Sequence, residues 1–303
     1  MQAAGRAAEH GIADFEFARY HALGNDYLVL DPARFGFVPT PENVRLACDR
    51  HFGLGADGIV LGPIGPVEAG LPVTLRLFNS DGTDCERSGN GLRIFALYLA
   101  QCYPGDWPST GLTARTVAGD TAVRVLDVAD GLVSIDMGVP SFEAGGPRTV
   151  RLADRDVRLC CLNNGNPHAV TVVDQATREL ACELGPQIAT HASFPQRTNV
   201  QLLEVLDRNS IAIEIWERGA GYTLSSGSSS CAAAAVARKL GLVDDQVRVR
   251  MPGGELQLSF ADDGAISMTG TVELIATGSF GPALGAGLSD PGQTGDAGSE
   301  GPL

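Results

Sequence analysis

Long apolar runs are missing from this 303-residue chain. No stretch approaches the roughly 20 residues needed to cross a bilayer. Positive charge is scarce: 22 Lys and Arg stand against 36 Asp and Glu, a formal net charge of −14. Such a chain repels phosphate backbones and anionic membranes, so neither nucleic acid nor a membrane is an expected partner. Cysteine is present but not organised. The seven thiols form no CxxC pair and no disulfide-framework spacing, which disfavours a disulfide scaffold and a structural zinc site. Reduced thiols in a cytoplasmic protein are the natural reading. Residues 1–14 include Glu9 and lack the apolar centre of a secretory signal. There is no HExxH, no P-loop and no GxGxxG unit between a strand and a helix, so no metal, nucleotide or dinucleotide cofactor is expected.

What the chain does have is enough to fold. Hydrophobic residues make up 44% and charged residues 19%, a balance that builds cores and, at this length, favours two domains. The ends are poorer. Residues 1–13 show no strand or helix period, and Thr277 to Leu303 holds eight glycines and three prolines with little to bury. A flexible N-terminus and a disordered tail over 284–303 are therefore expected. Between them, Val73, Leu75 and Leu77 alternate with polar neighbours, as do Ile211, Ile213 and Ile215, and Val247, Val249 and Met251. That is the period of half-buried strands. Helices are expected after Thr40-Pro41, from about Gly91 to Gln101, and over the alanine-rich run Cys231 to Leu240. The class is α+β.

An internal repeat organises the chain. Gly24-Asn25-Asp26-Tyr27 opens an apolar strand ending at Asp31, and Gly165-Asn166-Pro167-His168 opens one ending at Asp174. Asn79 precedes Ser88-Gly89 by nine residues, and Glu217 precedes Ser226-Gly227 by nine. The Gly-to-Ser interval is 64 positions in the first copy and 61 in the second. Two pseudo-symmetric domains follow, residues 14–136 plus 271–283 and residues 137–270.

Each Ser-Gly opens an apolar helix, where free backbone N–H groups and the positive end of the helix dipole can hold an anion. One such copy reads as simple capping; two matched copies read as facing cradles for a small carboxylate. Ser88 and Ser226 would then flank the ligand, an arrangement suited to removing a proton from one side of a carbon and returning one to the other.

At these residues the chain resembles diaminopimelate epimerase and the pyridoxal-independent amino-acid racemases. The match runs over nearly all of Phe15–Phe280. It rests on His21 to Asp26, Gly53 to Gly58, Phe78 to Gly82, Gly89-Asn90-Gly91, Gly165 to His168, Arg197-Thr198-Asn199 and Glu217 to Gly221. The resemblance implies two similar domains, each a barrel-like sheet around a central helix, with the site between them and no pyridoxal phosphate or metal. It implies substrate contacts from Asn25, Asn79, Gly89, Asn90, Asn166, Asn199, Glu217, Arg218, Gly227 and Ser228, an amino acid or related carboxylic acid as ligand, and room for a homodimer. Within the Glu217-Arg218 pair, the carboxylate can hold an ammonium and the guanidinium a carboxylate.

The departure lies at the centre. The family has cysteine before both Gly89 and Gly227, and here both residues are serine. Tyr222 also stands where the family usually has an acid. A thiol near a helix N-terminus becomes a thiolate readily, whereas a serine hydroxyl needs a dedicated base. Three histories stay open: an inactivated chain carrying two Cys-to-Ser changes, a diverged isomerase in which His168 or Glu217 serves as base, and an amino-acid-binding protein. The second is the expectation carried forward. Cys231 reads as packing, Cys85 as a thiol in a polar turn, and Cys160 and Cys161 as neighbours facing opposite sides of a strand.

Overall fold

The computed structural model describes residues 15–68, 70–86, 88–105, 107 and 111–289. The expectations for residues 1–13 and 290–303 lie outside them. Among the described residues, no helix is long and apolar enough to cross a membrane.

The first half runs β1 (Phe17–Ala22), β2 (Asn25–Leu30), α1 (Pro41–Cys48), β3 (Gly58–Ile64), β4 (Val73–Asn79), α2 (Gly89–Cys102), β5 (Leu112–Thr116), β6 (Gly119–Asp127) and β7 (Leu132–Gly138). Two short strands follow, β8 (Ser141–Phe142) and β9 (Arg148–Arg151). The second half runs β10 (Asp156–Asn163), β11 (Pro167–Val172), α3 (Arg178–Ala189), β12 (Asn199–Asp207), β13 (Ser210–Glu217), β14 (Gly221–Thr223), α4 (Gly227–Lys239), β15 (Gln246–Met251), β16 (Gly254–Phe260) and β17 (Ile266–Thr271). The chain then returns through β18 (Glu273–Gly278) and α5 (Pro282–Ser289).

The pairings repeat as the elements do. β1–β2 and β10–β11 are antiparallel, β2–β3 and β11–β12 parallel, β3–β4 and β12–β13 antiparallel, and β4–β5 and β13–β15 parallel. β7 and β17, each the last strand of its half, pair with each other, and β18 closes on β1. The 18 strands among the described residues therefore belong to one hydrogen-bonded system.

The alternating residues identified above face inward: Val73, Leu75, Leu77, Ile211, Ile213, Ile215, Val247 and Val249 are all essentially inaccessible. So is the alanine run of α4, Ala232 to Ala237, as expected of a helix enclosed on all sides. Helices α2 and α4 share one continuous core built from both halves.

Two expectations change. Helix α3 was not anticipated, because Pro186 and Gly185 lie inside it. Its turns hold regardless: Thr177 caps the first with Oγ1 accepting from Leu180 N at 3.2 Å, and Gly185 packs on the Trp216 ring, where a Cβ would come within 2.5 Å. The disordered tail, for its part, does not begin at 284. Residues 282–289 form α5, with Leu288 fully buried and Leu284 packed against the cluster of Phe37, Val44 and Phe280. A few leucines docking on a preformed apolar face offset the ordering cost that composition alone suggested.

Candidate active site

The serines stand at the first turns of the two central helices. Ser88 is the N-cap of α2, its Oγ accepting from Gly91 N at 3.1 Å; Ser226 is the N-cap of α4, its Oγ accepting from Ser229 N at 3.4 Å. In both cases the cap exists because a short hydroxyl satisfies an orphan N–H. The two helix starts share a neighbour. A Cβ on Gly89 would lie 3.0 Å from Met268 Cε, and one on Gly227 would lie 2.9 Å from the same methyl. Glycine at both positions lets the starts converge on one methionine of β17.

Beside Ser88, the Tyr27 hydroxyl lies 3.1 Å from Oγ. Tyr27 is buried, and its ring crosses Gly58 on β3, where a Cβ would sit 2.6 Å from Cε1. Burial pushes the phenol well above its ordinary pKa, so it stays protonated. A polar chain leads away from this point. Asp57 Oδ2 accepts from Asn25 Nδ2 at 3.0 Å, Asn25 Oδ1 accepts from Asn90 Nδ2 at 3.0 Å, and Asn90 Oδ1 accepts from Arg93 Nη2 at 2.7 Å. Arg93 is wholly buried, and its Nε and Nη1 have no hydrogen-bond partner among the described residues. Burial brings its pKa down to about 10.

Beside Ser226 stands Glu217. Burial raises its carboxyl pKa, and the neighbouring Ser226 and Thr223 hydroxyls oppose the rise; Thr223 Oγ1 donates to Oε2 at 3.3 Å. Ser228 Oγ lies 3.5 Å from Ser226 Oγ. Asn199 Oδ1 accepts from Arg218 N at 2.9 Å and Nδ2 donates to Pro167 O at 3.0 Å, so one amide fixes both flanking turns. The Arg218 guanidinium donates to Gln196 O at 3.2 Å.

The other residues singled out from the sequence sit differently. His168 is 1% exposed, and neither ring nitrogen has a hydrogen-bond partner among the described residues. Gln201 and the Arg218 charge approach it, and burial lowers its pKa to about 4. It is a neutral imidazole at pH 7. Gln201 in turn donates to Ser229 Oγ in α4 at 3.0 Å. Asn166 Oδ1 is buried without a partner among the described residues. Asn79 is exposed and donates to Thr83 Oγ1 at 2.9 Å. Tyr222, where the family usually has an acid, donates to Glu214 at 2.7 Å. A cavity of about 630 Å³ between the 67–71 loop, Trp107 and the Arg124–Leu126 stretch contains none of these residues.

Sequence reasoning missed Tyr27, Asp57 and Arg93. The first was legible in the repeat, since Tyr27 and His168 occupy the same place in the two Gly-Asn motifs. They also hold the same ladder position: Tyr27 pairs with Gly58 on β3, and His168 with Asn199 on β12.

A family profile described as diaminopimelate epimerase matches residues 17–143 and 160–275. The chain is 45% identical over 274 residues to diaminopimelate epimerase 2 of Nostoc sp., covering 87% of this chain and 94% of that one. It is 36% identical over 278 residues to diaminopimelate epimerase of Synechocystis sp., covering 86% and 97%. Among solved structures, a probable proline racemase from Agrobacterium radiobacter aligns with a TM-score of 0.66 at 15% identity, covering 91% of this chain and 98% of that one. A hydroxyproline epimerase from Agrobacterium vitis aligns with a TM-score of 0.62 at 15% identity, covering 89% and 94%. At such identities the structural likeness speaks for the fold.

Proposed function

The chain belongs to the diaminopimelate epimerase family, and from that premise we propose that it is an isomerase inverting the α-carbon of diaminopimelate or a closely similar amino acid, without pyridoxal phosphate or metal. The observation that carries the reading is the convergence of two serine-capped helix starts on Met268. A substrate carboxylate held by their free N–H groups would have one hydroxyl on each side of its α-carbon. The curated relatives from Nostoc and Synechocystis, named as diaminopimelate epimerases, support the choice of substrate.

Catalysis in this reading rests on Ser226 with Glu217 on one face and Ser88 on the other. Glu217 is the dedicated base that a hydroxyl requires: it is half-buried, it adjoins Ser226, and its raised pKa makes it a better proton acceptor than an exposed carboxylate. His168, enclosed and neutral, lies beside Gln201, which donates to Ser229 Oγ on the Ser226 side. Asn25, Asn79, Asn90, Asn166, Asn199, Arg218 and Ser228 line or brace the substrate cradle. The division into residues 14–136 plus 271–283 and residues 137–270 belongs to the same proposal and is supported by the pairing of β18 with β1 and of β7 with β17.

The test is solvent deuterium entry at the α-carbon of L,L- and meso-diaminopimelate, followed by NMR beside calorimetric binding. Deuterium entry with interconversion of the isomers is the expected result. Binding without deuterium entry makes the chain a binding protein. If exchange appears only after Ser88→Cys with Ser226→Cys, the serine form is an inactivated epimerase.

A further inference from the structure

We propose that Tyr27 is the positioning residue that fixes Ser88 as the proton-donating side of the site, so that the two serines are held in opposite hydrogen-bonding states. The inference rests on the functional reading above and extends it to a residue outside the family motif of facing catalytic side chains. It starts from counting protons. The Tyr27 hydroxyl is buried and lies 3.1 Å from Ser88 Oγ. A buried phenol gives its proton to a partner, here Ser88 Oγ. That oxygen also accepts from Gly91 N at 3.1 Å. With both acceptor positions filled by N–H and O–H donors, the Ser88 proton is left for the cleft. Two donors also stabilise the alkoxide that remains once the proton has gone.

Ser226 differs. An ionised carboxylate only accepts, and the Ser226 hydroxyl favours the Glu217 carboxylate as a donor, so the Ser226 proton goes to Glu217, while its oxygen accepts from Ser229 N and lies 3.5 Å from Ser228 Oγ. The backbone enforces the difference. The place held by Glu217 at the end of β13 is held by Asn79 at the end of β4, and Asn79 is turned to Thr83. That strand end therefore offers Ser88 an amide where Ser226 has a carboxylate. The Tyr27 ring reaches its position only because residue 58, its neighbour across the parallel ladder, has no side chain.

The step balances. The α C–H bond breaks on the Ser226 face, its proton passing to Ser226 Oγ while the Ser226 proton passes to Glu217. The electron pair left on carbon takes the Ser88 proton on the other face, forming the new C–H bond. Ser88 Oγ is left as an alkoxide between Tyr27 O–H and Gly91 N–H. Once the product leaves, the proton on Glu217 returns to Ser88 through solvent.

The experiment reads both ends directly. Ser88→Cys and Ser226→Cys are made separately, and the pH dependence of iodoacetamide alkylation at each new thiol is followed by peptide mass spectrometry, which resolves them from the seven native cysteines. A thiolate between two donors forms at lower pH than one beside a carboxylate. The Ser88→Cys thiol should therefore ionise at least about one pH unit below the Ser226→Cys thiol. Tyr27→Phe should raise only the first, and Glu217→Gln should lower the second by more than the first. Asp57, Cys85 and Glu217 are the other titratable groups near Tyr27, and they are unchanged between each single-cysteine chain and its Tyr27→Phe form. Equal or reversed ionisation overturns the proposal, as does a Ser88→Cys profile unmoved by Tyr27→Phe. In the serine chain, Tyr27→Phe should slow isomer inversion roughly ten- to hundredfold. It should spare α-proton washout from the one isomer whose hydrogen faces Ser226, and Ser88→Ala should reproduce that pattern. Should no amino acid exchange its α-proton, the functional reading falls, while the order of thiol ionisation still decides the role of Tyr27.

Discussion

The two halves use one ladder and fill it differently. Where β2, β3 and β4 of the first half place Tyr27, Gly58 and Asn79, β11, β12 and β13 of the second place His168, Asn199 and Glu217. Four residues into each central helix, Arg93 in α2 corresponds to Cys231 in α4, and both are wholly buried. The backbone repeat decides where the helix starts meet. The side chains on three rungs and one helical turn decide what each start can do. A duplicated fold has become an asymmetric site without losing its frame.

The largest test of that asymmetry compares Glu217 with Asn79. Glu217→Gln removes the proton acceptor while keeping shape and should lower kcat roughly a hundred- to ten-thousandfold with little change in KM. Asn79→Ala, at the matching strand end, should raise KM and leave kcat within about threefold. Equal losses of kcat at both positions would mean that the two strand ends act alike. The raised pKa of Glu217 also gives a sign for pH: kcat should climb as pH rises through a value above the ordinary glutamate range. Because burial of its charge opposes folding above the unfolded pKa, Glu217→Gln should be more stable than the parent at pH 7, the gap closing in acid.

Next in size is the contrast between Tyr27 and His168. The tyrosine keeps its proton throughout the accessible range, whereas His168 must take one up in acid. Its pKa is lowered from 6.5 to about 4, so its contribution is complete above pH 6.5 and lost as pH falls toward 4. The loss amounts to about 3 kcal/mol. Urea unfolding at pH 7 and pH 4.5 should show that loss in the parent, and His168→Gln should flatten it. An unchanged slope would mean that the ring is solvated.

How far this was legible depends on what each residue type announces. Gly-Asn and Ser-Gly announce turns and caps by their own chemistry, so the repeat, the helix starts and the α+β class were readable. Helix α3 was concealed by Pro186 and Gly185, although its place between β11 and β12 matches that of α1 between β2 and β3. The docking of α5 depended on Phe37 and Phe280, distant residues whose apolar face no local pattern reveals. Tyr27 and Arg93 stand beside apolar residues and carry no motif chemistry of their own that marks them out in the sequence. Only the positions of their polar atoms relative to Ser88 and Asn90 separate them from packing.

Gly58 against Asn199 gives a smaller effect. These residues hold matching rungs, one bare and one with a full side chain whose amide fixes Arg218 N and Pro167 O. Gly58→Ala would bring a Cβ within 2.6 Å of the Tyr27 ring and 2.5 Å of Phe78 O, and the backbone oxygen cannot step aside. A cost of about 1–3 kcal/mol in unfolding free energy is expected, together with the same slowing of isomer inversion as Tyr27→Phe. Stability lost with inversion rates intact would show that the ring slot serves packing alone.

The smallest expected change is at Arg93, and its smallness is the point. A buried guanidinium with one hydrogen bond and two nitrogens unpartnered among the described residues carries a desolvation cost that its neighbour Cys231 offsets only in part. Arg93→Met keeps the length and apolar stem of the side chain while deleting the charge. It strands Asn90 Oδ1, a loss of about 1–3 kcal/mol, and relieves a penalty of similar size. Thermal and urea unfolding should therefore place the variant within about 1 kcal/mol of the parent. Were Arg93 a structural strut paired in a way that stabilises the fold, the same change would cost about 3–5 kcal/mol. If stability holds, what the residue supplies is orientation: Arg93 fixes Asn90, Asn90 fixes Asn25, and Asn25 meets Asp57 at the edge of the cradle. Arg93→Met should then raise KM while the melting temperature stays where it was.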